Sequence, residues 1–250
     1  MAKRKYNSYM DKLDKGAILR AIDGSFFKEV TVYEKINSTS TFAKEADIGT
    51  VIFAAEQTSG RGRSGKSFLS KKGGLYFSLV LPVSTAKEVP LTMLVAVAVS
   101  QAINSLAKVE TQIKWVNDIY LKGKKLAGIL TECLFDKIIV GIGLNFYAVD
   151  FGELGQTATS LFKTQKAPFS RAELAVEIIK NIEKLLVIER SQYMEYYKSH
   201  SCVLNREVRY FKNGVEFSGK VLDISDDGAL IIESEKGQSS ITSGEISLKF

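Results

Sequence analysis

The residues best suited to chemistry cluster in one stretch. Gly60 to Gly74 reads GRGRSGKSFLSKKGG, with five glycines and five cations (Arg61, Arg63, Lys66, Lys71, Lys72) and no acid. A packed core has no use for that composition. Glycines let the backbone approach a ligand closely, and backbone N–H groups beside guanidinium and ammonium groups receive phosphate or carboxylate. Two further stretches bear polar groups inside apolar runs: Lys114-Trp-Val-Asn117-Asp118 and the lysine-rich Lys122-Gly-Lys-Lys125-Leu-Ala-Gly128. Cations from separate segments with an Asn-Asp pair suit a nucleotide's phosphates. For Lys114 and Lys125 an exposed strand charge remains the alternative, and for Asp118 a turn residue.

Gly60 to Ser67 also matches G-x-x-x-x-G-K-[ST], the phosphate loop of nucleoside triphosphatases. That motif needs a helix starting at the lysine. Only seven residues separate Ser67 from a strand-like run at Leu75, so the spacing excludes the helix. Ser38 and Thr39 sit at a strand-to-helix turn, where they suit either helix capping or hydroxyl donation to a ligand.

These groups need elements to position them. Apolar runs at 30–33, 51–57, 75–81, 112–121, 125–132 and 136–146 read as strands. Helices are expected over about 40–47, 88–106 and 170–198, the last capped by Ser170. Adjacent strands with short loops indicate an α+β fold with a mixed, mainly antiparallel sheet. Gly141-Ile-Gly143 lacks the third glycine and the helix of a dinucleotide fingerprint. Beyond residue 200 the texture changes to short alternating strands. They are separated by Lys212-Asn-Gly214, Asp226-Asp-Gly228 and Glu235-Lys-Gly237, which are hairpin signals, and suggest a small β-barrel. The expected organisation is a surface extension over 1–28, a main unit over 29–200 and a small unit over 201–250.

At 250 residues, 45% hydrophobic and 25% charged, the chain can bury a sizeable core. A net charge of +6 suits an anionic ligand or nucleic acid, though a solvated basic surface explains it as well. The two cysteines, Cys133 and Cys202, have no CxxC spacing, and a single histidine supplies no zinc site. No apolar h-region opens the chain and no uninterrupted apolar run is long enough to span a bilayer. The expected compartment is the cytoplasm, with no membrane partner.

Taken together and in order, GRGRSGKSF, KWVNDIYLKGKKLAGIL, GIGLNF and the terminal GEISLK resemble the biotin protein ligase family. The resemblance runs from about Ser38 to the C-terminus. It implies a catalytic α+β domain followed by an SH3-like barrel, and a two-step reaction. Biotin and ATP, with Mg²⁺, give biotinyl-5′-AMP, and a lysine of a biotin carboxyl carrier protein then takes the biotinyl group. By resemblance, Lys125, Arg61 and Arg63 carry catalysis. Ser38, Thr39, Gln57, Gly60, Arg61, Lys125, Gly128, Leu130 and Gly143 serve biotin. Arg63, Lys66, Phe68, Lys114, Asn117, Asp118 and Asn145 serve the nucleotide, with Asp118 as the metal-facing carboxylate. A homodimer is compatible with this reading.

The chain departs from the family pattern at three places. Ser64 stands where arginine is usual, Phe68 where tryptophan is usual and Val116 where proline is usual, which bears on retention of the adenylate. Lipoate or octanoate ligases share the K-x-ND and GKK-AG elements but usually carry a different glycine motif with histidine and aspartate. A biotin-sensing DNA-binding regulator is the other alternative. Some thirty residues before the first strand are too few for a winged-helix domain, so no DNA partner is expected.

Overall fold

Seven apolar runs pair into one mixed sheet in the computed structural model, which describes residues 13–85, 90–164, 166–212, 215–242, 244 and 246–248. The strands are β1 (Glu29–Tyr33), β2 (Thr50–Ala54), β3 (Leu75–Pro82), β4 (Gln112–Lys114), β5 (Asp118–Leu121), β6 (Lys124–Cys133) and β7 (Lys137–Leu144). Their order is β1-β2-β3-β7-β6-β5-β4. Only β1 and β2 run parallel; the other neighbours are antiparallel. β3 is buried almost throughout, as a central strand covered on both faces must be.

Helices α3 (Leu91–Ala107), α4 (Arg171–Leu186) and α5 (Arg190–Ser199) pack together, and Thr92 of α3 donates to Thr131 of β6. In α3 the two turns from Met93 to Val99 are apolar and buried on every side, so they form the centre of the core. The short α2 (Thr39–Ala43) lies over β2, β3 and β7. Side chains alternate across a strand, so Gly128, Leu130 and Glu132 of β6 face away from Thr131 and α3. The functional cleft opens on their face.

Four expectations change. The run 112–121 is two short antiparallel strands that reverse at Trp115-Val116-Asn117, not one strand. The reversal is held from outside: the buried Trp115 Nε1 donates to Gly228 O at 2.9 Å, and Tyr197 Oη donates to Val116 O at 3.2 Å. The helix expected over 170–198 breaks at Val187, turning Tyr193, Met194 and Tyr197 into the core; no Gly or Pro marks that break. Its start is as expected, with Ser170 and Glu173 forming a reciprocal capping box. Ser38 stands at the cap of α2 without a side-chain capping bond, and the helix ends at Ala43 rather than 47. Finally, residues expected as a surface extension include helix α1 (Lys15–Ala21), whose Ile18 is buried with Ile22 and Phe27 against the main core. Ser25 Oγ and Phe26 N donate to Glu183 of α4 at 2.8 and 2.7 Å. Residues 1–12 lie outside the described residues, as do 86–89, where the second helix was expected to begin.

The C-terminal segment forms a five-stranded antiparallel sheet from β8 (Glu207–Lys212), β9 (Val215–Ile224), β10 (Leu230–Ser234), β11 (Gly237–Ile241) and β12 (Ile246–Leu248). The order is β11-β10-β9-β8-β12. Glu235-Lys236 is a two-residue hairpin turn, since Ser234 pairs with Gly237. Gly228 turns the chain between β9 and β10 at φ 89°, while residues 213 and 214 of the first hairpin lie outside the described set. No helix among the described residues is long and apolar enough to cross a membrane.

Candidate active site

The cleft floor is a row of residues facing one another across five strands. Tyr76 pairs with Gly143, Gly143 with Gly128, Gly128 with Asp118, and Asp118 with Lys114. The two glycines in the middle leave bare backbone where side chains would stand. A Cβ on Gly143 would come within 2.8 Å of the Phe68 ring, and one on Gly128 within 3.3 Å of Lys125 Cε. Phe68 and Lys125 therefore lie directly over this floor.

The glycine-rich loop closes over it as a small hairpin. Arg61 and Ser67 bridge, Phe68 N donates to Gly60 O at 2.8 Å, and Gly62 N donates to Lys66 O at 2.7 Å. The tip is a single 3-10 turn, Arg63–Gly65, with Ser64 and Gly65 at φ 53° and 74°. Lys66 is extended rather than helical, so the triphosphatase reading fails on geometry as it did on spacing.

At one end of the cleft the lining is neutral. Gln57 Oε1 accepts from Thr39 N at 2.8 Å and from Thr39 Oγ1 at 3.1 Å, while Gln57 Nε2 donates to Ser70 Oγ at 2.8 Å. Ser78 Oγ donates to Thr39 Oγ1 at 2.8 Å. This network fixes the amide of Gln57, which lines the cleft together with Ser38 and has a second N–H not used in the network. At the other end, over β6, β5 and β4, the lining is cationic: Arg63, Lys66, Lys114 and Lys125. From β3 to β5 is three strand spacings, roughly 14 Å. The cleft thus suits an elongated molecule that is polar and uncharged at one end and anionic at the other.

Lys125 Nζ lies 2.8 Å from Asp118 Oδ1 and 5.9 Å from the Phe68 ring centroid. Asp118 Oδ1 is buried without an aligned hydrogen bond, so the contact is ionic and the carboxylate retains accepting capacity. Burial, with Asp118 next in importance, pushes the Tyr120 phenol up to about 12, so it stays neutral. Arg63 Nη1 donates to Asn117 Oδ1 at 3.3 Å, and Asn117 Nδ2 donates to Ile129 O at 2.8 Å. The Lys125 backbone is held on both sides, donating to Thr157 O at 2.8 Å and accepting from Thr159 N at 2.9 Å.

Of the residues singled out in the sequence, Ser38, Thr39, Gln57, Arg61, Arg63, Lys66, Phe68, Lys114, Asn117, Asp118, Lys125, Gly128, Leu130 and Gly143 are brought to this one cleft. Gly60 opens the loop without lining the cleft, and a Cβ there would collide with Phe68 O and Ser70 Oγ. Asn145 is not brought there. It is buried behind the sheet's end, its Nδ2 donating to Thr159 O at 3.0 Å, and so secures the segment that holds Lys125. Trp115, Gly141, Gly244 and Ile246 also line the cleft. Gly244, between β11 and β12, and Ile246 of β12 come from the C-terminal segment; they belong to the terminal GEISLK motif, but neither is assigned to the site from the sequence.

Comparison with known proteins supplies the decisive observation. Residues 28–145 match the family model described as Biotin/lipoate A/B protein ligase family, and residues 203–249 match Biotin protein ligase C terminal domain. The "Bifunctional ligase/repressor BirA" of Bacillus spizizenii is 34% identical over 240 residues, covering 85% of this chain and 72% of that protein. The chain belongs to the biotin protein ligase family. The "Biotin--[acetyl-CoA-carboxylase] ligase" of Mycobacterium tuberculosis is 30% identical over 84% of this chain and 85% of its own length. A biotin protein ligase from Aquifex aeolicus, solved in complex with biotin and ATP, superposes with a TM-score of 0.79 at 33% identity, covering 89% of this chain and 99% of that one. The match to a C-terminal model specific to biotin protein ligases places this chain on the biotin side of a family that also includes lipoate ligases.

Proposed function

We propose that this cleft joins biotin to ATP as biotinyl-5′-AMP and passes the biotinyl group to a lysine of a biotin carboxyl carrier domain. Ligase activity on biotin goes with the family, and the division of the cleft into a neutral and a cationic end supports the assignment of residues. The ureido ring sits at the end lined by Ser38, Thr39 and Gln57, where it finds neutral donors and acceptors. The biotin chain runs over Gly143 and Gly128, and its carboxylate reaches Lys125. The single observation that carries this reading is Lys125 Nζ, poised above the glycine floor beside Asp118.

There the carboxylate oxygen attacks the α-phosphorus and pyrophosphate leaves. A fixed ammonium stabilises the charge that develops as two anions meet, while Arg63, Lys66 and Lys114 face the phosphates. In the second step the carrier amine attacks the acyl carbon of the anhydride, and AMP leaves. The donors present fit a magnesium ion that arrives with the nucleotide. No group of three or more His, Cys, Asp or Glu side chains that could hold a metal occurs among the described residues, and magnesium is commonly bound through one or two carboxylates plus phosphates. Asp118 would be that carboxylate, and the ion would neutralise phosphate charge.

On this reading residues 29–200 are the catalytic unit and 201–250 a small unit that completes the rim through Gly244 and Ile246; residues 1–28 precede them. The cytoplasm is the proposed compartment. The test is incubation of the purified chain with biotin, ATP, Mg²⁺ and a biotin carboxyl carrier domain, followed by mass measurement. The carrier should gain one biotinyl group, and lipoate should not substitute, because a dithiolane leaves the ureido-directed donors unpaired. Equal modification by lipoate would refute the assignment.

A further inference from the structure

Glu132 draws three separate elements to one point at the rim of the cleft. Its Oε1 lies 3.0 Å from Lys44 Nζ and 3.0 Å from Arg61 Nη2, and its Oε2 accepts from Arg61 Nη1 at 3.2 Å. Lys44 is the C-cap of α2, the helix that begins at Thr39. Arg61 is the first cation of the glycine-rich loop. Glu132 itself stands two residues past Leu130 on the cleft face of β6. The carboxylate is the sheltered partner, 18% exposed against 42% for Arg61 and 30% for Lys44.

Arg61 and Glu132 meet fork to fork, a geometry that fixes orientation as well as distance. Both terminal nitrogens of Arg61 are thereby turned to the protein. Arg63, two residues on, instead directs Nη1 to Asn117 inside the cleft. The two arginines of the loop are therefore in different situations. We propose that Glu132 is a positioning residue which, through Arg61 and Lys44, clamps the root of the glycine-rich loop to α2 and β6, and that the Arg61 guanidinium serves as the loop's anchor rather than as a ligand of the substrate anions. This rests on the ligase reading and deepens it. A loop fixed at its root keeps Phe68 and Arg63 over the floor and so retains the adenylate, while a loosened root lets it escape.

The test is a double-mutant cycle on the full chain in biotin-dependent ATP–pyrophosphate exchange, with Arg61→Ala, Glu132→Ala and the pair combined. Thermal melts confirm that each variant folds, and Glu132→Gln provides a second, conservative removal of the charge. Each single change should raise KM for biotin and ATP by roughly threefold to tenfold, the range expected for residues coupled in one network, with kcat little altered. The double variant should fall within about twofold of the worse single one, because residues that act as one unit are not additive. Each should also release more biotinyl-AMP, read as labelling of serum albumin with no carrier present; a residue that merely supported the fold would not raise that labelling. Multiplying losses in the double variant would show that Arg61 meets the substrates directly and would overturn the clamp. Unchanged KM values and labelling in both Glu132 variants would do the same. An unsubstituted chain without biotin-dependent exchange would instead remove the ligase reading, and with it the sites the clamp serves.

Discussion

Replacing Lys125 by alanine tests the chemistry most directly. The ammonium sits 2.8 Å from Asp118 Oδ1 over Gly128, where the carboxylate and the α-phosphate would meet. Removing a preorganised donor from developing charge typically costs 10²–10³-fold in rate, or ~2.7–4 kcal/mol. A second effect acts in the same direction, because the Asp118 carboxylate, 19% exposed, would then face the incoming anions unpaired. At roughly 5 Å and an effective dielectric of about 20 that repulsion is ~3 kcal/mol before solvent screening, which reduces it in so open a cleft. Adenylate formation should therefore fall by about 10²-fold or more. Lys125→Ala/Asp118→Asn should recover part of the loss, since it removes the orphaned charge. Folding should survive, because the backbone at 125 remains bonded to Thr157 and Thr159 and a part-exposed ion pair contributes about 1 kcal/mol or less. Lys125→Arg should also be poor, since Phe68 and the Gly128 backbone crowd the ammonium and a planar fork is not a point charge. Lys122→Asn is the control: Lys122 occupies a left-handed turn position, φ 51°, that asparagine tolerates well, and it lies outside the cleft. Biotin-dependent ATP–pyrophosphate exchange isolates the first step. Unaltered exchange in a folded Lys125→Ala variant would refute the role given to this residue.

Gly143→Ala would place a methyl 2.8 Å from the Phe68 ring, so the ring must lift; KM for biotin should rise about tenfold or more with little change in melting temperature, and an unchanged KM would show that nothing binds on that floor. Trp115, the only tryptophan, lines the cleft and is 4% exposed, so its fluorescence should change on titration with biotin and ATP; a silent titration would mean that ligands do not reach that wall. Burial pushes the Cys202 thiol up while Cys133 is exposed, so maleimide at neutral pH should label Cys133 first, as peptide mapping would show. Asn145→Ala should lower stability by about 1 kcal/mol or more, measured by denaturant unfolding, because it removes a buried hydrogen bond to Thr159 O.

The sequence by itself determined the chemistry and the main sheet. Cations without acids among glycines between two apolar strands read as a ligand loop, and the alternation of β6 and the apolar continuity of β3 follow from periods that can be counted. It also determined the start of α4, because the Ser170–Glu173 capping box is a local device. Local signals stop where a residue's role depends on distant partners. Trp115 to Asn117 lies in an alternating run, yet the chain reverses there because Tyr197 and Gly228, some 80 and 113 residues away, hold it from outside. Asn145 belonged to a ligand motif in sequence but spends its amide on the segment behind Lys125. Arg61 and Arg63 look alike as neighbours in GRGR, and only the fold turns one to Glu132 and the other to Asn117. Residues 15–28 read as a charged extension because their apolar positions are few; tertiary packing buries Ile18, Ile22 and Phe27 all the same. The physical reason is common to all four. Composition and period report which groups must leave or meet water, while pairing across the fold decides which partner each one meets.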